Sequence, residues 1–350
     1  NEKLNYENNK ANKWFKQIKI DSSKKDYLAE FNRIISKTKK QKTLIIGEII
    51  FDEYDYVEPL GKPSKENILS VNFKKKEVFY GGCLPVVKNA SQICKDLTLV
   101  SFYNKKNNLD KIKKFFKNDK VKLNLFKKDK YTDIIKRRFV NDKNFSKIFE
   151  VYNFQNQDFF DQRLYDYLNK NLKKFENVIV CDFGHGLINK KIAKILSSKS
   201  KFISANIQTN SGNRGYNLFD KYEKLNFLCL DEPELRLGVQ DKNSTVIQII
   251  NNITGKKYKK VMVTRGVEGL NFKGDNDINY VPAITTNPLD TIGAGDAAYS
   301  FASLFVKNSN NGSLISLVSA IAGALKVNIV GHRNHIKIED IYRTLRSLLK

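Results

Sequence analysis

Cysteine and histidine are scarce in this chain, and their spacing excludes two common ways of stabilising a fold. The four cysteines, Cys83, Cys94, Cys181 and Cys229, lie far apart without a C-x-x-C pair, and there are only three histidines. Neither a zinc site nor a disulfide framework can be drawn from that set, so the cysteines read as reduced structural thiols. Long apolar runs are missing too. None approaches the roughly 18 to 20 residues that span a bilayer, and the N-terminus is polar, so the sequence predicts no membrane partner and a cytoplasmic location. Internal repeats are absent, as is any arginine- and aromatic-rich recognition module. The net charge of +25 comes from lysines spread along the whole chain, with small clusters such as Lys74 to Lys76. No specific nucleic-acid partner is therefore expected, although a basic surface helps gather anionic substrates.

What is present suffices for a globular fold: 350 residues, 41% of them hydrophobic, can build one large domain or two ordinary ones. Residues 1–42 are rich in Asn and Lys with scattered apolar positions, Trp14, Phe15, Ile18 and Ile20. They read as an N-terminal extension or linker, or a helix that docks elsewhere. The chain starts at Asn1 instead of Met, which suits a fragment or a processed product. At Thr43 the pattern changes. Leu44 to Phe51 is nearly continuous apolar sequence, as in a strand buried on both faces, and similar runs follow at Leu97–Phe102, Val178–Phe183, Phe202–Ile207, Phe227–Leu230 and Val261–Thr264. Helical patterns such as Lys190–Leu196 and Ser244–Ile253 separate them. This alternation predicts an α/β fold, a doubly wound, mostly parallel sheet flanked by helices, over residues 43–350. Short β-like pieces, Ile68–Phe73 and Glu77–Tyr80, predict a small sheet projecting from the body at about 54–80.

The most informative stretch is Asp290-Thr291-Ile292-Gly293-Ala294-Gly295-Asp296. Its two glycines permit positive φ and close ligand approach, and Ala297, Ala298, Phe301, Ala302 and Phe305 then recur at helical spacing. A helix beginning near Gly295 presents unpaired N–H groups and a positive dipole end, which together seat an anion. Asp296 either complements that dipole or accepts the proton of an attacking hydroxyl.

As a whole the stretch resembles the D-T-x-G-A-G-D signature of the PfkB, or ribokinase-like, family of small-molecule kinases. The resemblance implies ATP and Mg2+ as cofactors, Asp296 as catalytic base, and Gly293, Ala294 and Gly295 as an anion hole, with Thr291 beside the nucleotide. It also implies a lid that covers the sugar and often supports a homodimer. Weaker signatures follow in the family's order over about residues 43–345. Gly47-Glu48-Ile49-Ile50-Phe51-Asp52 parallels G-[DE]-x-x-x-D, whose last acid binds sugar hydroxyls; a strand-end turn competes as a reading of Asp52. Gly81-Gly82 matches the glycine pair that lets backbone approach the sugar, but Pro85 stands where relatives place a substrate-contacting Asn; Asn89 follows one turn later. The segment from Asp133 to Phe139 is similar to the T-x-x-K-x-R of heptose 7-phosphate kinases, where Lys136 and Arg138, on one face of a strand, would hold the substrate's phosphate; a solvated charge run is the competing reading. His185 replaces the Lys of D-Y-x-K-G at a strand's carboxyl end, where open α/β sheets bind ligands, and is either a substrate contact or structural. The amide-rich run from Asn206 to Asn213 has no assigned role. Asp231 and Glu234 fall on the family's N-x-x-E, whose acid acts on magnesium through water; a helix cap competes. Thr264, Gly266 and Gly269 match T-x-G-x-x-G beside the nucleotide, and Ala320 to Val330 resembles the helix bordering the adenine.

The resemblance thus predicts an ATP-dependent sugar kinase acting on a sugar or sugar phosphate, closest to the kinase half of ADP-heptose synthesis. Such kinases are commonly fused to a nucleotidylyltransferase domain, for which an upstream segment is the expected place; no H-x-G-H signature occurs here. Alternatives are a kinase for another sugar or a nucleoside, or a catalytically weak sugar-binding or scaffold subunit.

Overall fold

A computed structural model describes Trp14 and residues 26–129, 132–154, 160–275, 277–285 and 287–350. Its core is a nine-stranded sheet fed by the apolar runs. In chain order the strands are β1 (Lys42–Gly47), β2 (Ile49–Gly61), β3 (Ser70–Gly82), β4 (Asp96–Tyr103), β5 (Val121–Lys127), β6 (Ile134–Asn141), β7 (Lys147–Asn153), β8 (Asn177–Asp182), β9 (Ile203–Ile207), β10 (Leu225–Asp231), β11 (Tyr258–Thr264), β12 (Leu270–Lys273) and β13 (Ile278–Val281). The large sheet has the order β13-β12-β11-β10-β9-β8-β1-β4-β5, and every neighbouring pair from β11 to β5 is parallel. β12 and β13 add antiparallel at one edge. β1, β8 and β9 are buried nearly throughout, which is why their sequences are apolar without alternation.

The chain winds outward from β1 in both directions, so the carboxyl ends of β1 and β8 flank a topological switch point. Helices α2 (Cys83–Ser91), α8 (Ala294–Val306) and α9 (Gly312–Lys326) pack over that end. The other helices are α1 (Tyr27–Thr38), α3 (Lys106–Phe115), α4 (Gln162–Asn171), α5 (Lys190–Lys199), α6 (Glu232–Val239), α7 (Val246–Ile253) and α10 (Ile338–Leu348). Among the described residues none is long and apolar enough to cross a membrane. All four cysteines are free and buried.

Several details differ from the sequence reading. The run Leu44–Phe51 is two strands, because the chain leaves the core sheet at Glu48 and enters a second one. That second sheet, ordered β3-β2-β6-β7, takes two strands from residues 134–153 as well as the pieces near 54–80. Local pattern could not reveal this, since the β2–β6 pairing joins residues more than eighty positions apart. The strand carrying Lys136 and Arg138 is therefore part of the lid. At the other end, α1 is not a bare linker. Asp26 caps it by accepting from Ala29 N–H at 2.8 Å, and Tyr27, Phe31 and Ile34 are buried in the main core, with Phe31 against the rings of Phe305 and Tyr342. Trp14 also packs on that core, whereas Phe15, Ile18 and Ile20 lie outside the described residues. The helix expected through Val330 stops at Lys326.

Candidate active site

Gly293 is the N-cap of α8 with φ of 78°, a left-handed conformation that glycine adopts without strain. It turns the chain so that the first turn of α8 opens into a cavity of about 1210 Å³. A Cβ added at Gly295 would meet nothing within 4 Å, so a ligand can come up against the backbone there. The Ala294 N–H reaches the Thr291 carbonyl at 3.3 Å, whereas the N–H groups of Gly293, Gly295 and Asp296 have no acceptor among the described residues. Those three groups, with the helix dipole behind them, are left free to receive an anion.

Asp296 sits at the inner end of this cavity. Gln208 Nε2 donates to its Oδ1 at 2.6 Å and to Asn206 Oδ1 at 2.7 Å. Burial pushes the Asp296 carboxyl up to about 6; the Gln208 bond and the Lys136 ammonium oppose that rise and Asp52 adds to it. A carboxylate in this range is ionised at neutral pH yet basic enough to receive a hydroxyl proton.

Asp231, Glu234, Thr264, Gly266, Gly269 and Thr291 line the same cavity as Gly293, Ala294, Gly295 and Asp296. Its remote wall is apolar, with Leu270, Ile284, Ala320, Ala324 and Val327, as a flat heterocycle requires. Asp231 and Glu234 form a capping box on α6: Asp231 Oδ1 accepts from Glu234 N–H at 2.7 Å and Glu234 Oε2 from Asp231 N–H at 2.8 Å. Glu234 Oε1 also accepts from Thr209 N–H at 2.9 Å, and burial beside Asp231 pushes its carboxyl up to about 8. Both Glu234 oxygens and Asp231 Oδ1 are therefore engaged with backbone N–H groups. No group of three or more His, Cys, Asp or Glu side chains able to hold a metal exists among the described residues. That donor set suits magnesium, which keeps several waters and is held mainly by nucleotide phosphates.

The residues expected to bind substrate do not line this cavity; they lie on the lid side of Asp296. Parallel pairing of β2 with β6 sets Asp52 beside Lys136 and Tyr54 beside Arg138. Arg138 is an internal partner of the lid: it pairs with Asp52, reaches Glu150 at 3.3 Å and stacks over the Tyr54 ring. Lys136 differs. Its ammonium stands 5.4 Å from the centre of the Tyr152 ring with no carboxylate within ion-pair distance among the described residues, and burial holds its pKa down. Lys136 and Arg138 do share a strand face, but only Lys136 has charge to spare. Gly81 lies so close to Asp52 that an added Cβ would be 2.0 Å from its Oδ2. Gly82 is the N-cap of α2, and Pro85 and Asn89 line a small cavity of about 60 Å³ behind Gly293. Asn89 donates to Ser300 Oγ at 3.2 Å.

His185 is buried, with its ring against Phe154 and its Nε2 3.4 Å from Asn210 Nδ2. Burial and nearby Lys136 push it down to about 3, so it is neutral. Its backbone N–H and that of Phe183 donate to the two Glu48 oxygens, at 3.1 and 3.0 Å. Asp133, aligned with a threonine in the sequence reading, accepts from Asn104 N–H, Lys105 N–H and Asn108 Nδ2, and so fixes the start of α3.

Sequence reasoning left several participants without roles. Asp290, inside the motif, is a hub: its Oδ2 accepts from Tyr54 OH at 3.0 Å and Gly331 N–H at 2.8 Å, and its Oδ1 from Lys147 Nζ at 2.9 Å and Ile292 N–H at 3.2 Å. Gln208 was one amide among many. His332 reaches the site from the segment after α9 and carries no local signal; an added Cβ at Gly293 would be 2.6 Å from its Cε1, and burial pushes it down to about 4.

A parallel sheet, a helix start with unpaired N–H groups beside a buried carboxylate, and a second β sheet suit a small-molecule phosphotransferase acting on a sugar hydroxyl. Residues 40–323 match the family described as pfkB family carbohydrate kinase, and the chain belongs to that family. It is therefore a sugar or nucleoside kinase, and membership implies ATP as donor, normally with magnesium. A curated relative, the bifunctional protein HldE of Aliarcobacter butzleri, is 21% identical over 330 residues, covering 89% of this chain; the chain spans 66% of that relative's length. Among solved structures, the Methanocaldococcus jannaschii nucleoside kinase, an archaeal member of the ribokinase family, superposes with a TM-score of 0.68 at 16% identity, over 88% of this chain and 99% of that one. Escherichia coli phosphofructokinase-2 in complex with potassium gives 0.65 at 12% identity, over 89% and 100%. These structural likenesses establish the ribokinase fold.

Proposed function

We propose that the protein transfers the γ-phosphoryl group of ATP to a hydroxyl of a sugar phosphate, most closely a heptose 7-phosphate at its anomeric position. The observation that carries this reading is Lys136: a half-buried ammonium without a carboxylate partner among the described residues, within electrostatic reach of Asp296. It offers a seat for an acceptor's own phosphate near the base. Asp52 would accept hydrogen bonds from the sugar hydroxyls.

In the transfer the acceptor oxygen forms a bond to the γ-phosphorus as the bond to the β,γ-bridging oxygen breaks. ADP leaves, and the hydroxyl proton passes to Asp296. Gly293 and Gly295 would donate to the equatorial oxygens, so positioning and electrostatics supply most of the acceleration. Magnesium, when bound, neutralises phosphate charge; the Asp231 and Glu234 carboxylates would hold its waters. Thr264, Gly266, Gly269 and Thr291 would border the nucleotide.

The similarity to HldE supports the heptose assignment, while Pro85 in place of an Asn and His185 in place of a Lys favour a second reading, a kinase for an unphosphorylated sugar or nucleoside. ADP release over heptose 7-phosphate, fructose 6-phosphate, ribose, fructose and adenosine, with Asp296→Asn as control, separates them. Turnover confined to heptose 7-phosphate supports the assignment. Turnover with another acceptor removes it, and silence with retained sugar binding favours a scaffold role. We assign nucleotidyl transfer to none of these residues. The exposed apolar side chains Phe73, Phe149 and Val151 on the lid suit a homodimer through that sheet; light scattering with Phe149→Lys as control tests it.

A further inference from the structure

Lys326 ends α9 and lies directly behind the anion seat, outside the large cavity. Its side chain is nearly inaccessible, at 3% exposure, yet no carboxylate comes within ion-pair distance of its ammonium among the described residues. Its partners are backbone carbonyls: Nζ donates to Ile292 O at 2.7 Å and to Ile329 O at 3.2 Å. A lysine at a helix C-terminus commonly binds the last carbonyls of its own helix. Here one partner belongs to another segment, the residue immediately before Gly293, and the other lies three residues beyond the helix. The aliphatic part of the chain supports the same turn, since a Cβ added at Gly293 would be 3.2 Å from Lys326 Cε. The next residue strengthens the junction, because Val327 O accepts from Leu289 N–H at 2.9 Å and Asp290 N–H at 3.0 Å. Helix end and motif loop are thus joined by neutral amide bonds at one point and by a buried cation at another.

A charge is costly to bury, and among the described residues no carboxylate offsets that cost for Lys326 at ion-pair distance. Burial does hold the Lys326 pKa down, with Asp290 and Asp296 opposing that effect. Two consequences follow from its place. The ammonium fixes the Ile292 carbonyl and therefore the direction of the peptide leading into Gly293. It also adds a full positive charge behind the N–H groups that receive the transferred phosphoryl group, where little water screens it.

We propose that Lys326 is a positioning residue of the transfer reaction, a tethered cation that locks the anion-hole loop to the end of α9 and lends it positive potential. This rests on the phosphoryl-transfer reading, but one of its two readouts does not. Lys326→Met keeps the length of the side chain and removes the charge; Lys326→Ala leaves space that methylammonium can fill. Hydrogen exchange over residues 288–297 should quicken about 10-fold in Lys326→Met while the strands of the core sheet keep their protection. With any acceptor that wild type phosphorylates, kcat should fall about 10- to 100-fold with KM for ATP within about threefold, because the loop acts on charge present mainly in the transition state. Millimolar methylammonium should restore part of both properties to Lys326→Ala, and tetramethylammonium, which lacks N–H donors, should not.

Unchanged exchange over 288–297 in Lys326→Met overturns the proposal, as does a kcat equal to wild type or a defect confined to KM. If Lys326→Met unfolds, the amine response of Lys326→Ala decides, and failure of methylammonium to slow its exchange overturns the proposal. A wild type that phosphorylates nothing would remove the kinase reading while the exchange result still decides whether Lys326 holds the loop.

Discussion

Lys147, the first residue of the last lid strand, donates to Asp290, the first residue of the signature loop, at 2.9 Å. The pair joins the second sheet to the loop that leads into the anion hole. The Asp290 side chain is fully buried and also receives Tyr54 OH from β2, so two lid strands, β2 and β7, converge on one carboxylate. Because buried acceptors that lose a charged donor cost about 1–3 kcal/mol, Lys147→Met should destabilise the protein by that order. If the lid faces the acceptor, acceptor KM should rise while KM for ATP stays near wild type. Thermal melts and two-substrate kinetics check both; an equal rise in the two KM values would contradict the assignment.

If Asp296 is the base of the proposed transfer, it sets the acid limb of activity. A general base must be ionised, and burial pushes this carboxyl up to about 6, so kcat/KM should rise with pH through that region and level off above it. Asp296→Asn should lower kcat about 10²- to 10⁴-fold without loss of nucleotide binding. A pH–rate series on wild type, with nucleotide binding to the variant measured by calorimetry, tests the pair of statements.

Gln208 should tune that same limb. Its amide donates to the ionised form of Asp296, and a donor of this kind favours the anion. In Gln208→Leu the Asp296 pKa should therefore move further up, shifting the acid limb toward neutral pH and lowering the rate at pH 6 more than at pH 8. A uniform loss across pH would mean that the amide acts on substrate placement instead.

Lys136→Met should raise KM about 10-fold or more for a phosphorylated acceptor, in keeping with loss of a charge-assisted contact, and change little with unphosphorylated sugars. Arg138→Met should behave differently, because its guanidinium is spent on Asp52 and Glu150; every acceptor should bind less well as Asp52 loses its orientation. The ratio of the two defects across the acceptor panel is the measurement.

Gly81→Ala should displace Asp52, whose Oδ2 would be 2.0 Å from the new methyl carbon. Acceptor KM should increase for all sugars while nucleotide binding is untouched. An unaltered acceptor KM would separate Asp52 from sugar binding.

The core of this protein was legible from the sequence wherever information is local. Buried parallel strands announce themselves as unbroken apolar runs, and the α8 start by glycines followed by helical spacing. Asp231, Glu234, Thr264, Gly266, Gly269 and Thr291, the residues the family pattern sets beside a nucleotide, are marked by one-dimensional patterns and all line one cavity. What escaped depends on long-range pairing. β6 reads as an ordinary charged strand, and only its register with β2 makes it a lid strand that sets Lys136 beside Asp52. Asp290, Gln208, Lys326 and His332 acquire meaning through partners between 34 and more than 200 residues away, or through packing against Gly293. Lys136 and Arg138, equivalent by alternation, part company because, among the described residues, carboxylates stand in ion-pair reach of Arg138 alone.

The two sheets meet at a narrow root. Glu48 is the lone residue between β1 and β2, its carbonyl accepts from Cys83 N–H at 2.9 Å where β3 gives way to α2, and its carboxylate holds the backbone of Phe183 and His185. Asp52 lies only four residues from that root on a thirteen-residue strand whose far end is exposed. Order is thereby graded along a single strand: the inner third is anchored through the core, while the outer end runs out into solvent toward the hairpin between Gly61 and Ser70, so a change of length or surface at that tip would leave the position of Asp52 untouched.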